Sequence, residues 1–183
     1  MRDKLKRYAI VISLVEKLNK QGSWCGETHI QKAMYFLNEL FPEVINYPFM
    51  LYKYGPFSFE LRDDIGIMVT EDFLRAVPMY PYGPKIIPGK LSEKIKLLFS
   101  KTLNKCEEKI EFVAENLKNK TVLDLEAIAT ALYVIKTNPT LRLEEMTAKL
   151  HHLKPHISFE QAEKEIEEVK KIIEEARNLN HKS

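Results

Sequence analysis

Glycine is scarce, cysteine scarcer, and no stretch stays apolar for long; each shortage removes a class of function. Only six of the 183 residues are glycine, and Gly22, Gly26 and Gly55 do not make the Gly-rich turn that cradles a phosphate. The two cysteines, Cys25 and Cys106, lie far apart without a Cys-x-x-Cys pair. Free thiols in a reducing compartment are therefore expected rather than a disulfide. No run approaches the roughly 20 apolar residues of a membrane span. The basic N-terminus leads into a patterned helix instead of the apolar centre of a signal peptide. The expectation is a cytoplasmic protein with no membrane partner. Net charge is nearly missing too, at 28 Lys+Arg against 26 Asp+Glu. The signs are interleaved, 12 against 10 over residues 1–91 and 16 against 16 over 92–183. No segment looks like a basic arm that would bind by neutralising phosphates.

What is present is helical periodicity. Leu5, Tyr8, Ile12, Val15 and Leu18 mark one face of a first helix from about Asp3 to Lys20. Thr28 has the chemistry to cap a second, His29 to about Leu40, which turns Ile30, Met34, Leu37 and Phe41 inward. Residues Tyr47 to Tyr54 alternate as a strand does. A third helix then carries Leu61, Ile65 and Met68 and ends near Gly66 to Thr70. Residues 73–90 hold short apolar runs around Pro78, Pro81, Gly83, Pro84 and Pro88, which confines any hairpin there to an edge or an exposed wing. From Leu91 onward the pattern is helical. Thr121 to Asp124 and Ser158 to Gln161 read as capping boxes, and Asn138-Pro139 and Lys154-Pro155 as stops. The expected fold is mainly α (α+β). A winged-helix-like half over residues 1–90, with a small strand and hairpin element, packs on a helical half over residues 91–183.

The junction Lys53-Tyr54-Gly55-Pro56-Phe57-Ser58 is the most informative stretch. Gly55 permits a backbone conformation that other residues resist, Pro56 fixes φ, and Ser58 can cap the helix that carries Leu61. Together with Gln31-Lys32-Ala33-Met34-Tyr35-Phe36, about twenty residues earlier, it resembles the signature of the Panacea, or SocA-like antitoxin, domain family, in its YwgA-like subgroup. Leu125-Glu126-Ala127-Ile128-Ala129 and Leu153-Lys154-Pro155 resemble the second half of that subgroup. The resemblance implies a compact, mainly helical antitoxin domain that neutralises a toxin by direct protein contact and has no assigned catalytic residue.

The expected activity is thus non-catalytic protein–protein recognition, without cofactor, metal or catalytic site, with another protein, such as a toxin, as partner. Partner-binding residues are expected at Gln31, Lys32, Tyr35, Lys53, Tyr54, Pro56 and Phe57, supported by the structural residues Gly55, Ser58 and Leu61. Lys32 and Tyr35 have a second reading, in which they bridge helix to strand by hydrogen bonds. A winged-helix nucleic-acid-binding regulator ranks next, against which stand Glu60, Asp63 and Asp64 beside a single Arg62 on the would-be recognition helix. A hydrolase with an unrecognised site ranks third. Cys25-x-x-x-His29 and His151-His152-x-x-x-His156 contain metal-binding atoms, but nothing in the sequence brings them together. Oligomeric state is not encoded in any pattern of the chain.

Overall fold

Caps and breakers set most of the element boundaries. The computed structural model describes residues 2–182 and is mainly helical, with two small antiparallel hairpins. Among the described residues, α1 (Arg2–Lys20) and α2 (Glu27–Leu40) are followed by a first hairpin, β1 (Met50–Tyr52) and β2 (Gly55–Phe57). Next come α3 (Phe59–Thr70) and a second hairpin, β3 (Leu74–Met79) and β4 (Tyr82–Pro88). The remainder is α4 (Ser92–Leu98), α5 (Ser100–Leu117), α6 (Val122–Thr137), α7 (Leu143–Leu153) and α8 (Phe159–Lys182). Ser58 Oγ accepts from the Leu61 N–H at 3.2 Å and starts α3. Thr121 and Asp124 form a reciprocal capping box on α6, and Ser158 Oγ accepts from the Gln161 N–H at 3.1 Å on α8. The helical run after Leu91 is broken at Phe99, whose buried ring anchors the α4–α5 joint.

Two boundaries differ from expectation. Thr28 is not the cap of α2; the helix begins at Glu27, two residues earlier than expected, after an extended Gly26 that supplies no side chain. The strand expected over Tyr47 to Tyr54 shrinks to three residues and doubles back, with Met50 opposite Phe57, Leu51 opposite Pro56 and Tyr52 opposite Gly55. Gly55 at φ +94° makes that reversal possible. Pro56 has no N–H to give to a ladder, but its carbonyl remains free for another partner.

The expected wing is present as β3–β4, but it is tied down. The Ile86 N–H donates to the Cys25 carbonyl at 2.8 Å, and Asn19 Nδ2 donates to the Ile86 carbonyl at 3.0 Å. The helices α1 and α2 are more deeply placed than a single apolar stripe implies. α1 is covered by α2, α4, α5 and β4, so every residue from Tyr8 to Ile12 is buried. α2 is covered by α5, α6, α8 and both hairpins, and residues 29–37 are all buried. In α6, Ala127, Ala129 and Ala131 keep side-chain bulk low where α2 and β2 approach. One apolar core runs through both halves of the chain. No helix among the described residues is long and apolar enough to cross a membrane.

Candidate functional site

The Gly-Pro corner is held by two buried polar side chains. Gln31 on α2 grips the backbone of Ser58 at both ends: its Nε2 donates to the Ser58 carbonyl at 2.9 Å, and its Oε1 accepts from the Ser58 N–H at 3.0 Å. One turn position on, Lys32 Nζ donates to the Pro56 carbonyl at 2.8 Å. Behind it, Lys154 Nζ faces Glu126 Oε2 at 3.5 Å across α7 and α6. Burial lowers the Lys32 pKa to about 8; the Glu126 carboxylate opposes that shift and the Lys154 ammonium reinforces it. Thr130 Oγ1 donates to the Glu126 carbonyl at 2.6 Å and lies directly beneath Gly55. The Leu-Glu-Ala and Leu-Lys-Pro segments therefore meet the Gln-Lys and Gly-Pro motifs at one point in space.

This placement corrects four of the seven expected contact residues. Gln31, Lys32 and Tyr35 are only 1%, 2% and 3% exposed, and Pro56 is buried as well. α6 covers the corner, and α2 has no wet side along this stretch, so these four side chains cannot touch a partner. Of the two readings of Lys32, hydrogen bonding between helix and hairpin is the one its geometry matches. Tyr35 packs edge-on against Phe49 with centroids 5.1 Å apart. Gly55, Ser58 and Leu61 are buried in the structural positions expected of them.

Lys53, Tyr54 and Phe57 remain at the surface, and three neighbours join them. Met50, Tyr52 and Tyr54 are each about half exposed, and Phe59 is more than one-third exposed. The rings of Tyr52, Phe57 and Phe59 pack on one another, with centroids 5.9, 5.3 and 5.1 Å apart. Lys53 Nζ lies 5.1 Å from the Tyr54 ring and Arg62 lies 5.1 Å from Phe59, so cations fringe the aromatic ledge. Met50, Tyr52 and Phe59 were not among the expected contacts. The missing signal was the hairpin itself, because the pairing of Met50 with Phe57 decides which strand face points outward.

A second buried centre changes the charge of the would-be recognition helix. Asp64 is enclosed; it accepts hydrogen bonds from Tyr47 Oη at 3.0 Å and Tyr8 Oη at 3.3 Å, and Lys4 Nζ stands 3.2 Å away. Desolvation raises the pKa of both tyrosines, aided by the adjacent carboxylate, which keeps them as neutral donors. Arg7 spans Asp64 at 3.6 Å and Glu60 at 2.5 Å while its guanidinium lies over the Tyr47 ring. Asp64 is therefore a structural acceptor rather than a wet acidic residue. The same contacts commit Lys4 and Arg7 of α1, two of the cations available for a phosphate backbone.

The thiols are buried. Burial pushes the Cys25 thiol up to about 12, away from the thiolate that a nucleophile requires. His151 Nδ1 lies 2.9 Å from the Ile157 carbonyl, while His152 and His156 are exposed. Among the described residues no group of three or more His, Cys, Asp or Glu side chains could hold a metal ion. No family model matches this chain, and no curated protein matches it.

Proposed function

We propose that the protein is a non-catalytic recognition module that binds another protein through Met50, Tyr52, Tyr54, Phe57 and Phe59, and that its partner is a toxin, as the likeness to SocA-like antitoxins implies. The observation that carries the docking reading is the surface ring cluster of Tyr52, Phe57 and Phe59, which spans the hairpin and the start of α3 beside a corner locked by Gln31 and Lys32. Contiguous exposed aromatics mark interaction sites on soluble proteins, and preordered rings lose little entropy on binding. The flanking Lys53 and Arg62 favour a partner with an apolar pocket rimmed by acidic groups.

Affinity capture from the native host tests the reading. The parent should retain a stoichiometric protein partner that Tyr52→Ala and Phe59→Ala each lose by roughly 30-fold in Kd, the effect of an anchor worth about 2 kcal/mol. Both sites are exposed enough for the variants to fold. A partner bound equally by both variants and lost on Lys171→Glu would place the docking face on α8 and refute the assignment.

Nucleic-acid binding keeps one specific support. Lys6, Lys101, Lys105 and Lys109 line a groove of about 850 Å³ beside α5, where the one acidic residue, Glu43, is paired with Lys109. The groove lies away from α3 and the wing, the elements a winged helix would present. Duplex binding is expected to be weak, non-specific and salt-sensitive. Sub-micromolar, sequence-selective binding at physiological salt, read by fluorescence anisotropy, would reverse the ranking. The buried charges at Lys32, Glu126 and Lys154 favour the hydrolase alternative in kind. Their enclosure, however, gives a substrate no approach.

A further inference from the structure

A cleft of about 640 Å³ opens on the side of the molecule formed by the α1–α2 loop, the tip of β3–β4 and the α5–α6 loop. That volume is within the range of small-molecule sites. We propose that it binds a small planar aromatic anion, a ring carrying a carboxylate or a phosphate. This inference is independent of the docking surface on β1–β2.

The aromatic part follows from the walls. Trp24 and Tyr82 both line the cleft, with ring centroids 5.3 Å apart and planes at 71°. Trp24 is half-buried and Tyr82 is exposed, so an entering ring can pack against both and lose water on its faces. Gly26 lets the loop pass close to the indole and the hairpin: a Cβ there would stand 3.3 Å from the Trp24 ring and 3.6 Å from the Pro84 carbonyl.

The anionic part follows from the two helices that begin at the cleft. Glu27, Thr28 and His29 open the 14-residue α2, and Thr121 and Val122 open the 16-residue α6; all five line the cleft. The first N–H groups of a helix have no intrahelical acceptor, and the macrodipole makes that end positive. In α6 the Thr121 hydroxyl occupies the Asp124 N–H. In α2 no side chain caps the end, so its first N–H groups remain available to an anion.

His29 supplies the independent sign of a ligand. It is 94% buried, since only 6% of its surface is exposed, it lines the cleft, and its Nδ1 has no hydrogen-bond partner. Buried polar atoms without partners are rare in native proteins. Desolvation lowers the His29 pKa, so at neutral pH the ring presents one donor and one acceptor. Lys120, on the same wall, is already paired with Glu168 at 2.8 Å, and Glu27 at the start of α2 is exposed, so the preference for an anion rests on the open helix end and His29 rather than on a side-chain cation.

The chain has a single tryptophan, so the Trp24 indole N–H gives one assigned-by-count resonance in a ¹⁵N–¹H spectrum. Titration with benzoate and with phenyl phosphate should shift that resonance saturably for at least one of the two, and the preferred probe identifies the anionic group. Benzyl alcohol, acetate and inorganic phosphate should each bind about tenfold more weakly, as expected when a charged hydrogen bond or the ring contact is missing. Tyr82→Ala, at an exposed hairpin position, should weaken the preferred probe by a similar factor, and so should His29→Phe, which keeps a ring in place. No saturable shift with either aromatic anion overturns the site. Benzyl alcohol binding as well as the anions overturns the charge assignment, and unchanged affinity in folded Tyr82→Ala overturns the aromatic wall.

Discussion

Replacing Gly55 by alanine tests the corner with one methyl group. Two costs arise together. The residue sits at φ +94°, where an L side chain is strained by about 1–3 kcal/mol. The new Cβ would also stand 2.8 Å from Thr130 Oγ1, closer than real contacts allow. Thr130 cannot simply turn away, because its hydroxyl donates to the Glu126 carbonyl at 2.6 Å inside a helix packed on all sides. Overpacking of this kind costs a further ~1–3 kcal/mol. The sum, about 2–6 kcal/mol, is a large share of the roughly 5–15 kcal/mol that stabilises a typical domain.

Urea denaturation with a parallel thermal melt measures it. Gly55→Ala should lower Tm by at least about 4 °C, given ~2–4 °C per kcal/mol for a chain of this size. The steric share can be isolated by adding Thr130→Ala: the double variant should recover about 1 kcal/mol or more relative to additivity. Stability within about 0.5 kcal/mol of the parent for Gly55→Ala would show that the corner is neither strained nor tightly packed, and the rigidity assigned to the ledge would lose its basis. Additivity in the double variant would leave φ strain alone as the cause and refute the contact with Thr130.

Two further outcomes concern buried ionisable groups. The Lys32 pKa falls from 10.5 to about 8 in the folded protein, so between about pH 8 and 10.5 the unfolded chain binds more protons and stability rises with pH. The stability difference between the parent and Lys32→Met should shift in the parent's favour across that window by up to about 3 kcal/mol, and a flat difference would refute it. Glu165 shows the opposite sign: burial, reinforced by Glu168 and Asp124 and opposed by Lys120, raises its carboxyl from 4.5 to about 7. The folded state then holds the extra proton, and stability is lost as pH rises from about 4.5 to 7. Glu165→Gln should therefore gain on the parent over that range in pH-dependent urea melts, and a constant gap would show that Glu165 titrates normally.

Local chemistry was legible in the chain. Ser58, Thr121 and Ser158 cap their helices because a side-chain oxygen three residues from an orphan N–H is a short-range arrangement. Tertiary placement was less legible, although α1 offered a signal: Tyr8-Ala9-Ile10-Val11-Ile12 is apolar all round, the mark of an enclosed helix rather than a half-wet one. β2 escaped notice because a three-residue strand beginning Gly-Pro shows no alternation. The interior position of Gln31 and Lys32 rests on acceptors 27 and 24 residues away, respectively, which no helical pattern records.

Those burials also redistribute roles along the motif. Gln31, Lys32, Gly55, Pro56 and Ser58 determine where the hairpin stands and how firmly, but none of them can meet another molecule's surface. Glu126 and Lys154 carry the buried polar cluster into the second half of the chain: α6 packs on β2, and the Lys154–Glu126 pair ties the end of α7 to α6. A signature made of such residues specifies a scaffold and is silent about its partner. Under the proposed docking function, partner choice is carried by the side chains that the scaffold holds outward: Met50, Tyr52, Lys53, Tyr54, Phe57 and Phe59. On this reasoning, exchanging those six alone between two proteins that share the corner should transfer binding preference while leaving the fold intact.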